Sequence, residues 1–306
     1  MKTPVQLVDA VCSRLYYYCC PDKIYLNKKF KEVFGRDINW KNPTTFNEKL
    51  QWLKIYDRNP LYTQLVDKYE VRKYIAEKIG KQYLIPCLGV WDRFEDINFD
   101  GLPNQFVLKC THDSNSVIVC KNKREFDMNL ARIKLNSHLK RNFYYNAREW
   151  PYKNVKPRII AEQYMEDEKT HELRDYKIFA FQGVVRALFI ASDRQNSNEQ
   201  VKFDFFDSEF NHLDIKQGHP NSEILPERPA NLQEMIRLSE EVSKDFPEVR
   251  IDFYECNGKT YFGEITFFHH SGFVAFDPNE WDLTFGNWIE LPKKGKICHK
   301  VEQKVR

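Results

Sequence analysis

Two carboxylates occupy the two arms of a β-hairpin that the sequence predicts over residues 249–268. Runs rich in Val, Ile, Phe, Tyr and Thr flank Asn257-Gly258, and each run carries one acid, Asp252 or Glu264. Because side chains alternate along a strand, a regular two-residue loop would point these acids to opposite faces of the sheet. We therefore predict a three-residue loop over 256–258 with Gly258 at positive φ, or a bulge elsewhere that restores the same parity.

On a shared face, the two acids would lie beside Arg250 and would repel each other unless a cation sits between them. Carboxylate oxygens are hard ligands of the kind that suit Mg²⁺, which binds proteins through one or two carboxylates together with substrate phosphates. The alternative is a solvated outer face of an antiparallel sheet, with Arg250 as an ordinary surface partner. The hairpin alone is compatible with both interpretations.

Further polar side chains lie on predicted strands upstream of the hairpin. Lys109 ends the strand "FVLK" just before a loop of small polar residues, where a cation beside backbone amides suits a phosphate chain. Glu162 ends an apolar strand, where its carboxylate can accept an adenine amino group while the backbone of 163–165 binds the ring edge. In "DYKIF", Asp175 can bond ribose hydroxyls, and Lys177 follows it. Taken singly, each of these is also typical of an ordinary strand end.

The surrounding pattern predicts an α+β protein. A capping box, Thr45 with Glu48, begins a helix with an apolar stripe, and a second helix is predicted over 61–80. Within that second helix, Asp67, Lys68 and Arg72 are expected to be ordinary surface charges. From about residue 84 onward, short strands mix with helices, which is typical of lobes built on mixed or antiparallel sheets.

Composition limits the class of protein. The 306 residues are 42% hydrophobic and include 23 Phe and 16 Tyr, far more than a disordered chain would carry. A net charge of +3 does not indicate a dedicated nucleic-acid binder. Eight cysteines without CxxC spacing, no signal-peptide core and no run near ~20 apolar residues predict a cytoplasmic protein with reduced thiols. The basic tail could contact an anionic membrane surface, the alternative being a solvated terminus.

The order of these elements resembles the ATP-grasp fold. More closely, a set of motifs resembles the TupA-like ATP-grasp family, which is associated with bacterial capsular and cell-surface polysaccharide biosynthesis. The motifs, spread over roughly residues 30–290, are "FNEKLQWLKIYDRNPLYTQLVDKY", "FVLKCTHDSNSVIVC", "IIAEQYMED", "DYKIFAFQG", "ASDR", "VRIDFYECNGKTYFGEITF", "SGF" and "EWD". The sequence pattern predicts a helical N-terminal region (1–85) and a basic tail (293–306). Between them, the resemblance implies a small lobe with a phosphate-binding hairpin (86–165) and a metal-binding lobe (166–292).

The resemblance also implies site residues. Lys109 and Lys177 would contact the phosphates of ATP, the nucleoside would be held by Glu162, Gln163, Met165 and Asp175, and Mg²⁺ would be bound by Asp252 and Glu264.

Several positions depart from the family pattern. Thr266 stands two residues after Glu264, at the position where ATP-grasp enzymes commonly have Asn. Its hydroxyl is a weaker oxygen ligand than the Asn side chain. Asp113 and Asn115 lie in the phosphate loop where a glycine-containing sequence is expected, and an acid beside a triphosphate is unfavourable. Two histidines replace an expected Pro-Gly near the second substrate. The candidate substrate residues are His269, His270, Ser271 and Arg194.

By this resemblance the chain is expected to be an ATP-dependent carboxylate–amine ligase, with an acyl phosphate intermediate and with Arg250 and Lys109 stabilising phosphoryl oxygens. The expected substrates are a sugar acid or nucleotide-linked sugar and a small amine. Two alternatives stay open at this point: a kinase that phosphorylates a sugar hydroxyl, and a non-enzymatic partner of a glycosyltransferase assembly.

Overall fold

Two antiparallel sheets organise the part of the chain that the computed structural model describes, residues 18–169, 171, 173–192 and 200–293. The smaller sheet has the order β1-β4-β2-β3, and its strands are β1 (Cys87–Trp91), β2 (Phe106–Cys110), β3 (Ile118–Cys120) and β4 (Ile159–Gln163). The larger sheet has the order β10-β9-β5-β6-β7-β8, and its strands are β5 (Arg174–Phe181), β6 (Val184–Ser192), β7 (Lys202–Phe206), β8 (His212–Leu213), β9 (Val249–Cys256) and β10 (Lys259–Thr266).

Helices complete the α+β architecture that the sequence predicts. Within the described ranges they are α1 (Asp22–Phe34), α2 (Phe46–Tyr56), α3 (Leu61–Val66), α4 (Val71–Lys78), α5 (Met128–Leu139), α6 (Tyr144–Ala147), α7 (Leu232–Ser243) and α8 (Glu280–Trp288). Short 3₁₀ turns occupy Lys81–Tyr83, Phe94–Asp96, Lys123–Glu125, Trp150–Asn154 and His269–Gly272. None of the described helices is long and apolar enough to cross a membrane.

The N-terminal helices share the hydrophobic core of the larger sheet. Thr45 and Glu48 form the predicted capping box at the start of α2, and Phe46 and Leu50 on that helix are fully buried in the same core as Phe179 on β5. Helix α7 packs against β5, β6 and β9. A separate core lies between the smaller sheet and α5. The two sheets therefore have cores of their own, and α2 is tied to the larger one.

The single helix predicted over residues 61–80 is wrong, because the chain breaks between α3 and α4. The buried carboxylate of Asp67 accepts hydrogen bonds from the amides of Tyr69 at 2.8 Å and Glu70 at 3.3 Å. Its other oxygen accepts a bond from Arg158 at 2.7 Å. These contacts give the backbone a local alternative to continuous helix, as Asp side chains often do.

The loop of the β9–β10 hairpin contains two residues, so the predicted three-residue loop is wrong. Cys256 pairs with Lys259, which leaves only Asn257 and Gly258 in the turn. Both turn residues have positive φ, +50° and +71°. Turns of this kind match the right-handed twist of the flanking strands and favour Asn-Gly.

A bulge at Gly263 supplies the extra residue instead. The register shifts between Phe262 and Glu264, so that Glu264 lies directly opposite Asp252. A Cβ atom at Gly263 would lie 3.1 Å from the carbonyl oxygen of Asp252 and 3.0 Å from the ring of Tyr254, so a larger residue at the bulge would crowd both neighbours. The bulge restores the predicted parity and places both acids on one face of the sheet.

Glu248, just before β9, is buried, and both its carboxylate oxygens lack a hydrogen-bond partner within the described part of the chain. Burial raises the pKa of Glu248 well above its ordinary value of 4.5, although Arg250 opposes the rise. The folded protein therefore keeps a proton that the unfolded chain loses above about pH 4.5. Between about pH 4.5 and the raised pKa of Glu248, the free energy of unfolding should therefore fall by about 1.4 kcal/mol for each unit that the pH rises.

Glu248→Gln is expected to remove this pH dependence, because the amide does not titrate. The difference in free energy of unfolding, variant minus wild type, should grow as the pH rises above about 4.5 and level off once the pH passes the raised pKa of Glu248. Urea unfolding curves at several pH values measure it, with Glu223→Gln as a control for replacing an exposed acid. A constant difference across this range would show that Glu248 is ionised in the folded state.

Candidate functional site

Two of the predicted site residues on the smaller sheet bind each other. Lys109 Nζ on β2 lies 2.6 Å from Glu162 Oε2 on β4. Arg72, from α4, approaches the same carboxylate with Nη1 3.6 Å from Oε1, and its Nη2 donates to the carbonyl of Ile85 at 2.8 Å. The side chains expected to contact phosphate and adenine therefore lie together, with a second cation beside them.

A cavity of about 470 Å³ separates the segment after β4 from the tip of the β9–β10 hairpin. Gln163 and Met165 line one side, and Cys256 and Tyr261 line the other. The backbone N–H of Gln163 donates to the carbonyl of Pro86 at 3.0 Å, so this N–H is not available to bind a ligand. The volume falls in the range typical of small-molecule sites.

The loop between β2 and β3 turns Asp113 inward. Ser116 Oγ donates to Asp113 Oδ1 at 2.8 Å, and Asp113 Oδ2 pairs with His138 Nδ1 on α5. Asn115 adopts a left-handed φ of +68°, which Asn tolerates better than most residues, in place of the expected glycine. Because the Asp113 carboxylate is buried in the small lobe, the expected conflict between this acid and a phosphate chain does not arise.

Lys68 connects this loop to the larger sheet. Its Nζ donates to the carbonyl of Asp113 at 2.5 Å and lies 3.9 Å from Glu264 Oε2. Its amide donates to the carbonyl of Thr111 at 3.0 Å. Only 14% of the side chain is exposed, so Lys68 is not the surface charge that the sequence predicted.

Lys68 and Arg72 contact predicted site residues, although sequence patterns did not indicate either of them. Both were placed on the exposed face of one continuous helix. The sequence feature that could have indicated the break in this helix is Asp67, an acid inside an apolar helical run. Asp side chains compete for backbone amides and often end a helix.

Arg250 contacts the acidic side chains of both β9 and β10. Its Nε and Nη2 donate to the two oxygens of Asp252 at 2.7 and 2.8 Å, and Nη2 also lies 3.3 Å from Glu264 Oε1 and 3.1 Å from Thr266 Oγ1. Burial alone would lower the pKa of Arg250, but the carboxylates of Asp252 and Glu264 raise it above its ordinary value. The cation that relieves repulsion between the acids is therefore a residue of the chain itself.

Lys177 is a second cation that forms an ion pair with Asp252. Its Nζ lies 2.7 Å from Asp175 Oδ2 and also contacts Asp252 Oδ2, and all three side chains are buried. Burial acts to raise the pKa of Asp252, but Arg250 and Lys177 lower it below its ordinary value of 3.8. Asp252 is thus an ionised, buried carboxylate between two cations, which excludes a solvated outer sheet face at this position.

The oxygens around Arg250 also fit a divalent cation. Asp252, Glu264 and Thr266 direct hard oxygen atoms at a single cationic group. Among the described residues, no group of three or more His, Cys, Asp and Glu side chains could hold a metal ion unaided. A pair of carboxylates suits Mg²⁺ that is shared with substrate phosphates, because Mg²⁺ commonly uses one or two carboxylates in such sites.

The two histidines after β10 differ in their contacts. Arg250 Nη1 donates to His269 Nδ1 at 2.7 Å, and His269 Nε2 lies 3.0 Å from Gln217 Oε1. Burial, together with nearby positive groups, lowers the pKa of His269 well below 6.5, so the neutral ring accepts at Nδ1 and donates at Nε2. His269 therefore orients Arg250. Arg194, also a candidate, lies outside the described residues.

His270 begins a left-handed turn. The φ angles of His270, Ser271 and Gly272 are +46°, +55° and +62°. Its Nε2 is buried and has no hydrogen-bond partner in the described ranges, and burial lowers the pKa of His270 to about 4. Left-handed backbone costs roughly 1–2 kcal/mol for each residue other than glycine, so the surrounding structure must hold His270 and Ser271 in place.

Comparison with known proteins identifies similarity at the level of a family. A family model described as TupA-like ATPgrasp matches residues 48–290. No curated protein matches the chain.

Solved structures that resemble the chain include D-alanine–D-alanine ligase from Bacillus anthracis complexed with ATP, at 18% identity and a TM-score of 0.39, over 66% of this chain and 55% of that one. L-amino acid ligase from Bacillus licheniformis matches at 16% identity and a TM-score of 0.43, over 74% of this chain and 49% of that one. The ATP-grasp ligase PsnB, complexed with minimal precursor, Mg and ADP, matches at 10% identity and a TM-score of 0.38, over 72% and 57%. The chain thus spans about half the length of these structures.

Proposed function

Since the chain belongs to the TupA-like ATP-grasp family, we propose that it is an ATP-dependent ligase that joins a carboxylate to an amine. The proposed carboxylate is a sugar acid, free or nucleotide-linked, and the amine is a small molecule. We further propose that the reaction takes place in the cytoplasm and serves the biosynthesis of a capsular or other cell-surface polysaccharide.

The proposed reaction has two steps. A carboxylate oxygen forms a bond to the γ-phosphorus of ATP as the bond to the β-phosphate oxygen breaks, which releases ADP and leaves an acyl phosphate. The amine nitrogen then forms a bond to the carbonyl carbon as the bond to the phosphate oxygen breaks. The products are an amide, inorganic phosphate and the proton lost by the amine.

The chain's own residues supply positioning and charge rather than a nucleophile. Lys68, Lys109 and Lys177 would contact phosphate oxygens, while Glu162 and Asp175 would bind adenine and ribose. Arg250 would stabilise the phosphoryl group in transfer.

Asp252, Glu264 and Thr266 would hold Mg²⁺, which supplies neutralisation of phosphate charge when bound. The observation that best supports the proposal is the grouping of Asp252, Glu264 and Thr266 around Arg250, on a sheet face that Lys68 links to the phosphate loop.

The direct assay combines purified protein, ATP, Mg²⁺, nucleotide-linked uronic acids and a panel of amines. Release of inorganic phosphate that requires both a carboxylate and an amine would support the ligase. A stable phosphosugar would identify a kinase instead. Failure to bind nucleotide would refute both and leave a non-enzymatic role.

Nucleotide binding can be tested without the substrates. ATP with Mg²⁺ is expected to raise the melting temperature, because a ligand that binds only the folded state stabilises it. Lys109→Ala should weaken ATP binding at least about tenfold, equivalent to about 1.4 kcal/mol, and so reduce the shift. Thermal unfolding over an ATP titration measures both effects.

Lys156→Ala is the matched control for Lys109→Ala. Lys156 also pairs with an acid, its Nζ lying 2.7 Å from Asp92 Oδ2, but both side chains are exposed. The control should respond to ATP as the wild type does. If Lys109→Ala gives the same response as this control, Lys109 has no role in binding phosphate.

A further inference from the structure

The left-handed turn at His270–Gly272 is held by two buried side chains of α2. Gln51 Nε2 donates to the carbonyls of Ser271 at 3.0 Å and Gly272 at 2.8 Å, and Lys54 Nζ donates to the carbonyl of Ser271 at 2.7 Å. A Cβ atom at Gly272 would lie 2.4 Å from Gln51 Nε2, so the turn packs directly on the helix. Both α2 side chains are completely buried.

A buried acid makes the third contact. Ser271 Oγ donates to Glu149 Oε1 at 2.5 Å. Lys54 and Glu149 therefore contact the same serine, one at its carbonyl and the other at its hydroxyl. Lys54 Nζ is held further by Gln51 Oε1 and the carbonyl of Ala147, each at 3.0 Å. Burying two ionisable groups is a poor way to gain stability compared with apolar packing, so their arrangement calls for another explanation.

The location of the turn provides that explanation. It follows directly on His269, which binds Arg250 at 2.7 Å. The conformation of the turn thus sets where His270 and Ser271 stand relative to Arg250. These two residues are among the candidates for contact with the second substrate, and both have backbone angles that they would rarely adopt without support.

We propose that Gln51, Lys54 and Glu149 are positioning residues that impose the left-handed turn and thereby fix the binding site of the sugar acid beside Arg250. This proposal rests on the proposed ligase function for its substrate. It assigns part of the control of substrate position to α2 and to the segment after α6, neither of which belongs to the two sheets.

The test uses Lys54→Met/Glu149→Gln, which removes both charges together so that neither is left buried alone. The expected result is a KM for the sugar acid raised at least about tenfold, with an unchanged melting-temperature response to ATP and Mg²⁺. Gln51→Leu, which removes the two amide bonds instead, should act in the same direction. Lys49→Met is the matched control, since Lys49 on the same helix donates to the carbonyls of Gly286 and Ile289, each at 2.8 Å, away from the turn.

Ser271→Gly separates positioning from general stability. Glycine adopts positive φ without steric strain, so the turn should need less support in this background. Adding Lys54→Met/Glu149→Gln to Ser271→Gly should then raise the KM for the sugar acid by less than about threefold. An equal tenfold effect in the serine and glycine backgrounds would overturn the proposal.

Crystal structures of the variants give a readout that does not depend on the reaction. Residue 271 is expected to lose its positive φ in Lys54→Met/Glu149→Gln and to keep it in Lys49→Met. A turn that stays left-handed in both Lys54→Met/Glu149→Gln and Gln51→Leu would refute the proposal and leave the ligase function standing. A turn that opens as expected, in a protein whose wild type releases no carboxylate-dependent phosphate, would instead refute the ligase function.

Discussion

Glu264→Gln is expected to lower turnover at least about 100-fold while leaving the fold intact. The loss follows because the substitution removes charge that is preorganised for phosphoryl transfer and one of two carboxylates available to Mg²⁺. Stability should change little, because 38% of the side chain is exposed and its contact with Arg250 is a long 3.3 Å. Rates of ATP hydrolysis or ligation over a Mg²⁺ titration, together with urea unfolding, measure both effects.

Glu241→Gln provides a matched control for this substitution. Glu241 is similarly exposed, at 42%, and also pairs with a basic side chain, Lys244, at 2.5 Å. Its replacement should leave turnover unchanged. Near-normal rates for Glu264→Gln at saturating Mg²⁺ would mean that this carboxylate is an ordinary surface acid.

Asp252→Asn is expected to lose activity to a similar extent and also to destabilise the protein by about 3–5 kcal/mol. Removing one partner of a buried ion pair leaves the other charge uncompensated, and here both Arg250 and Lys177 lose their shared acid. Two carboxylates facing each other alone would predict the opposite sign, because removing one would relieve repulsion. The unfolding free energy of the variant therefore tests the charge arrangement independently of catalysis.

Asp92→Asn is the corresponding control for stability. Asp92 pairs with Lys156 at 2.7 Å, but on the exposed surface, where ion pairs contribute little. Its replacement should cost much less than that of Asp252. If the two variants were equally stable, the contacts of Asp252 with Arg250 and Lys177 would make no net contribution to the free energy of unfolding.

Local sequence signals predicted local structure well. The capping box at Thr45 begins α2, and Asn257-Gly258 marks the hairpin turn. The α+β class and the ATP-grasp fold also followed from the order of elements and motifs. The capping box and the turn depend on residues that are close together in sequence, whose preferences a single sequence displays.

Features that depend on distant contacts were not predictable in the same way. The break after α3 is stabilised by Arg158, which lies 91 positions from Asp67. The inward orientation of Asp113 depends on His138, 25 positions away on α5. The sequence allowed for a bulge that restores parity but did not locate it at Gly263, where a Cβ atom would lie 3.0 Å from the ring of Tyr254 across the hairpin. In the first two cases a partner distant in sequence decides between local alternatives.

The ion pairs that Lys109 and Arg250 make in the protein without ligands affect which form of the nucleotide can bind. Lys109 is already neutralised by Glu162, and Arg250 by Asp252. Free nucleotide would have to draw Lys109 and Arg250 away from these acids, which among the described residues would keep only Arg72 and Lys177 as partners, while a free metal ion would have to displace Arg250. The magnesium–nucleotide complex brings both signs of charge and can replace both partners at once. Metal and nucleotide binding should therefore be thermodynamically coupled, each raising the affinity for the other by the same factor.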